Sequence, residues 1–150
     1  MLARIIQKVV AGGQTGVDQA ALVAATNVGL PTGGWMHRDG LDENGVIQHW
    51  EQWNLVPLTD EVWEVYRATF EDLASVGLQY DEGDPNARRT ILNALHSSGT
   101  LTILLHPVAD GTNLGLEVAR ALGKPMLILD LRDEESDKRS FESWLQEHQI

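Results

Sequence analysis

Two turns in this chain combine glycine with threonine, residue types that suit phosphate binding. The first turn, here called the glycine loop, consists of Gly12, Gly13, Gln14, Thr15 and Gly16, and the second consists of Asp110, Gly111 and Thr112. Glycine lets backbone amides turn toward an anion, and a threonine hydroxyl can donate to the same phosphate. Because each turn is predicted to join a strand to a helix, the pair favours a phosphate site over two unrelated tight turns.

The glycine loop matches neither of two common nucleotide-binding signatures. It lacks the Gly-Lys-Ser/Thr of a P-loop and the Gly-x-Gly-x-x-Gly spacing of the dinucleotide fingerprint. A third glycine segment, Thr32-Gly33-Gly34, is predicted to follow a second strand at the same edge. We expect Gly33, Gly34 and Trp35 to shape the side of the pocket that would face the ring of a bound ligand.

Charged side chains near these turns are the candidates for catalysis. Arg89 suits bidentate contact with a phosphate, whereas Arg88 is expected on an exposed helix face, paired with Asp84. Glu117 follows Thr112 by five residues and is either an acid or base or an ordinary surface residue.

Two aspartates have two interpretations each. Asp18 is predicted in the first turn of a helix, where it either stabilises the helix dipole or contacts a sugar hydroxyl or metal, and Asp110 presents the same alternatives. No metal site is predicted, because the chain has no cysteine and its five histidines lack the spacing of metal ligands.

Alternating strands and helices must position these residues. Short apolar runs predict strands at 5–11, 30–36, 100–106 and 125–131. Periodicity and capping residues predict helices at 17–28, 59–76, 84–96 and 113–122, and a last helix around 141–148. The alternation indicates a three-layer α/β fold, with helices on both faces of a mostly parallel sheet. In such a sheet, ligands bind outside the carboxyl ends of the strands.

The patterns also predict which helix faces are buried. The first helix is expected to bury Val17, Ala20, Ala21, Ala24 and Val28, and the helix at 59–76 is expected to bury Val62, Val65, Tyr66, Phe70 and Leu73. Residues 37–58 are predicted to be irregular, and 132–139 to be a solvated connection.

The net charge of −11 is carried by one segment. Residues 39–84 contain 12 acidic residues and one arginine, and the remainder has ten residues of each sign. This acidity excludes a basic nucleic-acid surface or a polybasic membrane patch, and no run approaches the ~18 apolar residues of a membrane helix. We expect a cytoplasmic protein whose acidity has little bearing on the glycine loops, because helix N-termini bind phosphate without net positive charge.

The chain resembles the molybdenum cofactor carrier-like family. The resemblance begins in the run from Ala11 to Ala21 and continues in Gly29-Leu-Pro-Thr-Gly-Gly-Trp35. Further matches are Pro57-Leu58-Thr59, Arg89-Thr90 with Asn93, Gly99-Thr100-Leu101, Asp110-Gly111-Thr112 and Gly123-Lys124-Pro125. The chain departs from the family pattern at 36–40, where a Cys-Pro-Lys-Gly type segment is absent, and at an apparent acidic helical insert at 60–83.

The resemblance implies a single Rossmann-like domain over 1–150, related to LOG-like nucleotide-binding proteins. It implies a non-enzymatic binding or carrier protein for a phosphorylated cofactor or nucleotide, most specifically molybdenum cofactor. The alternative enzyme is a LOG-like nucleoside monophosphate phosphoribohydrolase that uses Arg89 and Glu117. A third interpretation is an interaction module, with the helix at 59–76 as a docking surface or lid. Related folds imply a homo-oligomer.

Overall fold

The computed structural model describes the backbone of residues 6–75, 77–104 and 110–150, and the side chains of this part except 69–75 and 110–113. The described strands are β1 (Val9–Val10), β2 (Thr32–Met36), β3 (Leu41–Asp42), β4 (Gly45–Val46), β5 (Leu55–Pro57), β6 (Thr100–Ile103) and β7 (Met126–Leu129). The described helices are α1 (Val17–Asn27), α2 (Asp60–Ser75), α3 (Pro85–Leu95), α4 (Asp110–Ala121) and α5 (Glu134–His148). Within this part of the chain, no helix is long and apolar enough to cross a membrane.

The described strands form two parallel sheets and an antiparallel hairpin. Strand β2 lies between β1 and β5 and runs parallel to both, with Val9 opposite Thr32 and Trp35 opposite Val56. Strands β6 and β7 are also parallel, whereas β3 and β4 form the hairpin. Residues of β1 and β6 line the two sides of one cleft. The strands within each of these two sheets are all parallel, so the predicted parallel arrangement is confirmed.

Neighbouring residues of β2 enter two cores on opposite faces of the sheet, because side chains alternate along a strand. Met36 packs with Leu22 of α1, whereas Trp35 packs against the core built by α2, α3 and α4. The first core consists of Ala11, Leu22, Met36, Ile47 and Leu55, and the second of Leu58, Trp63, Leu78, Ile91, Leu92, Ala94 and Val118. Helices thus cover both faces, as predicted.

Helix α3 is capped at its start and clamped to β2 near its end. Asp84 caps the helix by accepting a hydrogen bond from the Asn86 amide at 2.9 Å, and Pro85 fills the first helical position, as the sequence predicts. The Asn93 side chain accepts from the Trp35 backbone amide at 2.8 Å and donates to the Trp35 carbonyl at 2.9 Å. These two bonds fix the distance between α3 and the sheet.

Lys124, in the turn between α4 and β7, caps the other end of α3. Its Nζ donates to the carbonyl of Ala94 at 3.1 Å, to that of Ser97 at 2.7 Å and to that of Leu95. Burial lowers the pKa of Lys124, but a cation is favourable beside the carbonyls that end a helix. The Gly-Lys-Pro motif therefore has a structural role in this chain.

Helix α2 is built into the main core. Its Trp63 is fully buried, and the Arg88 guanidinium lies 5.0 Å from the centre of the Trp63 ring. Arg88 Nη1 also lies 2.8 Å from Asp60 Oδ1, so the predicted pairing of Arg88 with Asp84 is wrong. This packing makes α2 part of the scaffold.

The buried faces of α1 and α2 differ from those predicted. In α1 the buried residues are Leu22 and Ala25, whereas Val17 and Val28 are 39% and 65% exposed. Leucine buries more apolar area than alanine, so Leu22 sets the orientation of the helix. In α2, Val65 is 76% exposed, contrary to prediction. Val62 and Tyr66 contact the core as predicted, and Phe70 and Leu73 lie outside the described side chains.

Three segments predicted as loops contain regular structure. Strands β3, β4 and β5 lie within 37–58, and α4 begins at Asp110 rather than at 113. Helix α5 begins at Glu134, because Asp133 caps it by accepting from the Ser136 amide at 3.2 Å and acidic residues follow in the first turn. The ends of two predicted strands, at residue 5 and at 105–106, lie outside the described residues.

Replacing Asn93 with alanine should destabilise the protein. The variant loses both hydrogen bonds to Trp35, so the free energy of unfolding should fall by about 2 kcal/mol. Urea unfolding followed by tryptophan fluorescence measures the change. Gln52→Ala is the control, because Gln52 is exposed and its side chain makes no hydrogen bond with the described residues. Equal stability of the two variants would contradict the role of the Asn93 clamp.

Candidate functional site

The glycine loop leaves the carboxyl end of β1 and leads directly into α1. Gly13 and Gly16 have φ angles of +80° and +84°, a region that favours glycine. Gly16 is the N-cap of α1, and no side chain in the described part caps the first amides of this helix. The Gln19 amide donates to the Gln14 carbonyl at 3.2 Å, so within the described part the amides of Val17 and Asp18 are the donors that α1 offers to an anion.

The Asp18 carboxylate shapes the loop from inside. Its Oδ2 accepts a hydrogen bond from the Gly12 amide at 3.1 Å and another from the Gln14 amide at 3.3 Å. The loop is thereby folded back over the first turn of α1. Asp18 acts on the loop itself, which neither of the two sequence interpretations anticipated.

Arg89 reaches from α3 to the glycine loop. Its side chain is only 14% exposed, and Nη1 lies 3.8 Å from Asp18 Oδ2. Arg89 Nη1 lies in the space that a Cβ on Gly12 would occupy, so the guanidinium packs directly against the backbone of the loop. Burial lowers the pKa of Arg89, and the carboxylates of Asp18, Glu43 and Asp84 oppose that shift. An arginine stays protonated in proteins, so a largely buried positive charge lies beside the loop.

The hairpin of β3 and β4 covers the other side of the loop, a contact that the sequence reasoning missed. Glu43 Oε2 accepts from the Thr15 amide at 3.0 Å and from the Thr15 hydroxyl at 2.6 Å. Gln14 Nε2 donates to the Leu41 carbonyl at 3.0 Å, and Gln19 Nε2 donates to Asp42 Oδ2 at 2.8 Å. The acidic segment therefore bears directly on the glycine loop, contrary to our expectation.

Thr15 stabilises the ionised form of Glu43. Burial acts to raise the pKa of Glu43, but the hydrogen bonds from Thr15 and the nearby Arg89 outweigh it and lower the pKa. The contact therefore contributes stability at neutral pH, and this contribution is lost as the pH falls through the lowered pKa of Glu43.

The glycine loop opens into a cleft of about 1140 Å³ between β1 and β6. The cleft includes Thr15, Asp18 and Arg89 at the loop and Glu117 on α4. Strand β1 of one parallel sheet and strand β6 of the other both contribute residues to the lining of this cleft. In open α/β sheets, ligands bind outside the carboxyl ends of the strands, and the glycine loop has that position after β1.

Three predicted site residues lie inside β2 rather than in a loop after it: Gly33, Gly34 and Trp35. A Cβ on Gly34 would collide with the Ala11 carbonyl, so glycine permits the close approach of β1. Trp35 Nε1 donates to His96 Nδ1 at 2.9 Å. Gly34 and Trp35 line a smaller cavity of about 260 Å³ and are not among the described residues of the main cleft.

The second predicted turn opens α4. The backbone of Asp110, Gly111 and Thr112 forms the start of this helix, and their side chains lie outside the described ones. Leu114, Gly115 and Glu117, further along α4, line the cleft. The structure thus brings α4 and the glycine loop to the same cleft, with an exposed Glu117 among its lining residues.

The fold and the site define a Rossmann-like α/β protein with a glycine loop beside a largely buried arginine. The chain belongs to the circularly permutated YpsA SLOG family, whose model matches residues 9–150. It is similar to the crystal structure of a "putative molybdenum carrier protein" from Syntrophus aciditrophicus SB, with 30% sequence identity and a TM-score of 0.73. That match covers 97% of this chain and 78% of the other. No protein of curated function matches significantly. The predicted family resemblance is confirmed.

Removing the Asp18 carboxylate should loosen the glycine loop. Asp18→Ala deprives two amides of their acceptor and leaves Arg89 without its nearest carboxylate, so we expect a loss of about 2 kcal/mol in unfolding free energy. Asp18→Asn keeps an acceptor oxygen and should lose about half as much. Urea unfolding of both variants measures this, and equal losses would show that the hydrogen bonds to the amides contribute nothing.

Proposed function

We propose that this protein binds the phosphate group of a small ligand at the glycine loop. The observation that carries the proposal is the placement of Arg89, a largely buried cation held against Gly12 at the carboxyl end of β1. Its Nε donates to Asn86 Oδ1 at 3.2 Å and its nearest carboxylate is 3.8 Å from Nη1, so the terminal guanidinium nitrogens supply the donors for an incoming anion. The uncapped amides of α1 lie beside it and have the same preference for negative charge.

Each part of the loop has its own task in this proposal. The amides of Gly13 and Gly16 and the hydroxyl of Thr15 donate to phosphate oxygens, Gln14 borders the site, and Arg89 supplies the charge. Asp18 fixes the loop through Gly12 and does not contact the phosphate. The start of α4, at Asp110, Gly111 and Thr112, supplies a second set of donors from across the cleft.

Molybdenum cofactor is the specific ligand that we propose. This cofactor is a pterin that bears a phosphate, and it is cargo here rather than a resident group. Support comes from the family and from the similar protein that is named a molybdenum carrier. The cleft of about 1140 Å³ is large enough for a ring system beyond the phosphate, since small-molecule sites are commonly ~300–1000 Å³. In the same proposal, Gly34 and Trp35 border the ring from the smaller cavity, and Gly33 precedes them in β2.

Arg89→Gln should weaken binding of phosphorylated ligands at least about tenfold. A hydrogen bond to a charged group contributes about 1.5–3 kcal/mol, and 1.4 kcal/mol corresponds to a tenfold change in affinity. Calorimetric titration with inorganic phosphate, adenosine monophosphate and molybdenum cofactor measures the effect. Arg88→Gln is the matched control, because the neighbouring Arg88 pairs with Asp60 and not with the loop.

The titration separates the site from its cargo. Tight binding of molybdenum cofactor that requires Arg89 supports the full proposal. If the protein binds phosphate or a nucleotide but not molybdenum cofactor, the proposed anion site is supported and molybdenum cofactor is rejected as its ligand. If Arg88→Gln and Arg89→Gln bind every ligand as the wild type does, the glycine loop is not the site.

A phosphoribohydrolase is the second candidate function, because Arg89 and Glu117 line the same cleft. An exposed carboxylate in such a position can act as a general acid or base. In that case the wild type should release free base from nucleoside monophosphates, and Glu117→Gln should reduce turnover at least about a hundredfold. Liquid chromatography of the products measures this. Unchanged turnover in Glu117→Gln would remove Glu117 from the mechanism.

Assembly and cellular location remain predictions. We propose a homo-oligomer on the basis of the related folds alone, and a cytoplasmic location on the basis of the sequence composition. Size-exclusion chromatography with light scattering tests the assembly directly, and a monomeric mass at high protein concentration would contradict it.

A further inference from the structure

The Glu43 carboxylate occupies donors that a phosphate would need. It accepts from both the amide and the hydroxyl of Thr15, and it faces Arg89. A carboxylate and a phosphate are both acceptors in their ionised forms, so they cannot share these donors. The Glu43 contact is thus the kind of contact expected of a ligand, made by the chain itself.

The hairpin that carries Glu43 is anchored at its base by apolar packing. Its tip (residues 41–46) is held against the glycine loop by polar contacts. Ile47, which follows β4, is 1% exposed and packs in the core with Leu55. The tip is joined to the loop by exposed hydrogen bonds from Gln14 and Thr15 and a partly buried one from Gln19. The tip can therefore leave the loop while the core at the base stays closed.

The local charges favour exchange over a permanent structural tie. Arg89 is the cation that faces both the Asp18 and Glu43 carboxylates, and Asp18 is already committed to the loop amides. A phosphate that arrived beside two carboxylates would be repelled. Departure of Glu43 removes one of these charges and frees both Thr15 donors at once.

We propose that Glu43 is an intramolecular competitor for the anion site and that the hairpin tip, residues 41–46, is displaced when a phosphate binds. The proposal rests on the proposed function of the glycine loop. It assigns Glu43 a role in setting ligand affinity, and it assigns the hairpin the role of a lid that must open.

Neutralising Glu43 should tighten phosphate binding. When Glu43 occupies the site most of the time, the apparent affinity for phosphate equals the intrinsic affinity multiplied by the fraction of molecules in which the site is free. We expect Glu43→Gln to bind inorganic phosphate about tenfold more tightly than the wild type, and Glu43→Ala to bind at least as tightly. Glu51→Gln makes the same change in net charge on an exposed residue of the same acidic segment, and it should change affinity less than about twofold.

Calorimetric titration of wild type, Glu43→Gln, Glu43→Ala and Glu51→Gln with inorganic phosphate tests the proposal. The proposal is supported if both Glu43 variants bind phosphate more tightly than the wild type and Glu51→Gln do. It is also supported if the two Glu43 variants are the only proteins of the four that bind measurably. Unchanged or weaker binding in the Glu43 variants, where the wild type binds and requires Arg89, overturns the competitor and leaves the anion site intact. If no variant binds phosphate or any phosphorylated ligand, the proposed function fails and the competitor fails with it.

Hydrogen exchange gives an independent measurement of the lid. Addition of phosphate to the wild type should speed amide exchange in residues 41–46 at least about threefold and slow it in residues 12–18. Slower exchange in residues 41–46 would show that the tip closes on the ligand, and this result overturns displacement.

Discussion

The functional end of the fold depends on the pairing of Asp18 with Arg89. Asp18 belongs to α1, on one face of the sheet, and Arg89 belongs to α3, on the other face. Their side chains meet over Gly12, at the end of β1, and Asp18 also holds the amides of Gly12 and Gln14. The same few atoms therefore join the two layers and fix the shape of the loop. Arg89 Nη1 lies in the space that a Cβ at position 12 would occupy, so a larger residue there would displace the end of the arginine side chain.

The position of Arg89 depends in turn on how α3 is held. Arg89 and Asn93 are four residues apart and share one face of the helix. The Asn93 side chain is hydrogen-bonded to the backbone of Trp35 in β2, so it fixes the position of α3, and with it that of Arg89, relative to the sheet. Lys124 fixes the end of the same helix. Two residues of the family motifs, Asn93 and Lys124, thus position the arginine in the cleft, Asn93 through its contact with β2 and Lys124 through its contact with the end of α3.

Local patterns in the sequence predicted most of this framework, whereas long-range pairings were beyond it. The glycine turn and the Asp84-Pro85 helix start are each encoded within a few neighbouring residues, and the alternation of strands and helices along the chain predicted the parallel sheet. The buried face of α1 was predicted wrongly, because the position of Leu22 against β2 depends on the sheet as well as on periodicity. The contact of Glu43 with Thr15 spans 28 residues and has no periodic signature. The Asn44-Gly45 dipeptide is common in hairpins and could have suggested one, although the turn itself consists of Glu43 and Asn44. It gives no sign of the loop that the hairpin covers.

The acidic segment acquires a role in selectivity once Glu43 competes for the loop. The net binding free energy of a ligand is the free energy of its own contacts with Thr15 and Arg89 minus the free energy of the contacts that Glu43 already makes with them. A ligand with a single carboxylate would make the same contacts as Glu43, so replacing Glu43 would give it little net binding free energy. A phosphate has more acceptor oxygens and more charge, so it can engage the free amides of α1 as well as the donors that Glu43 releases. Under this proposal, the loop discriminates between anions by charge density, and the affinity of its own carboxylate for Thr15 sets the threshold.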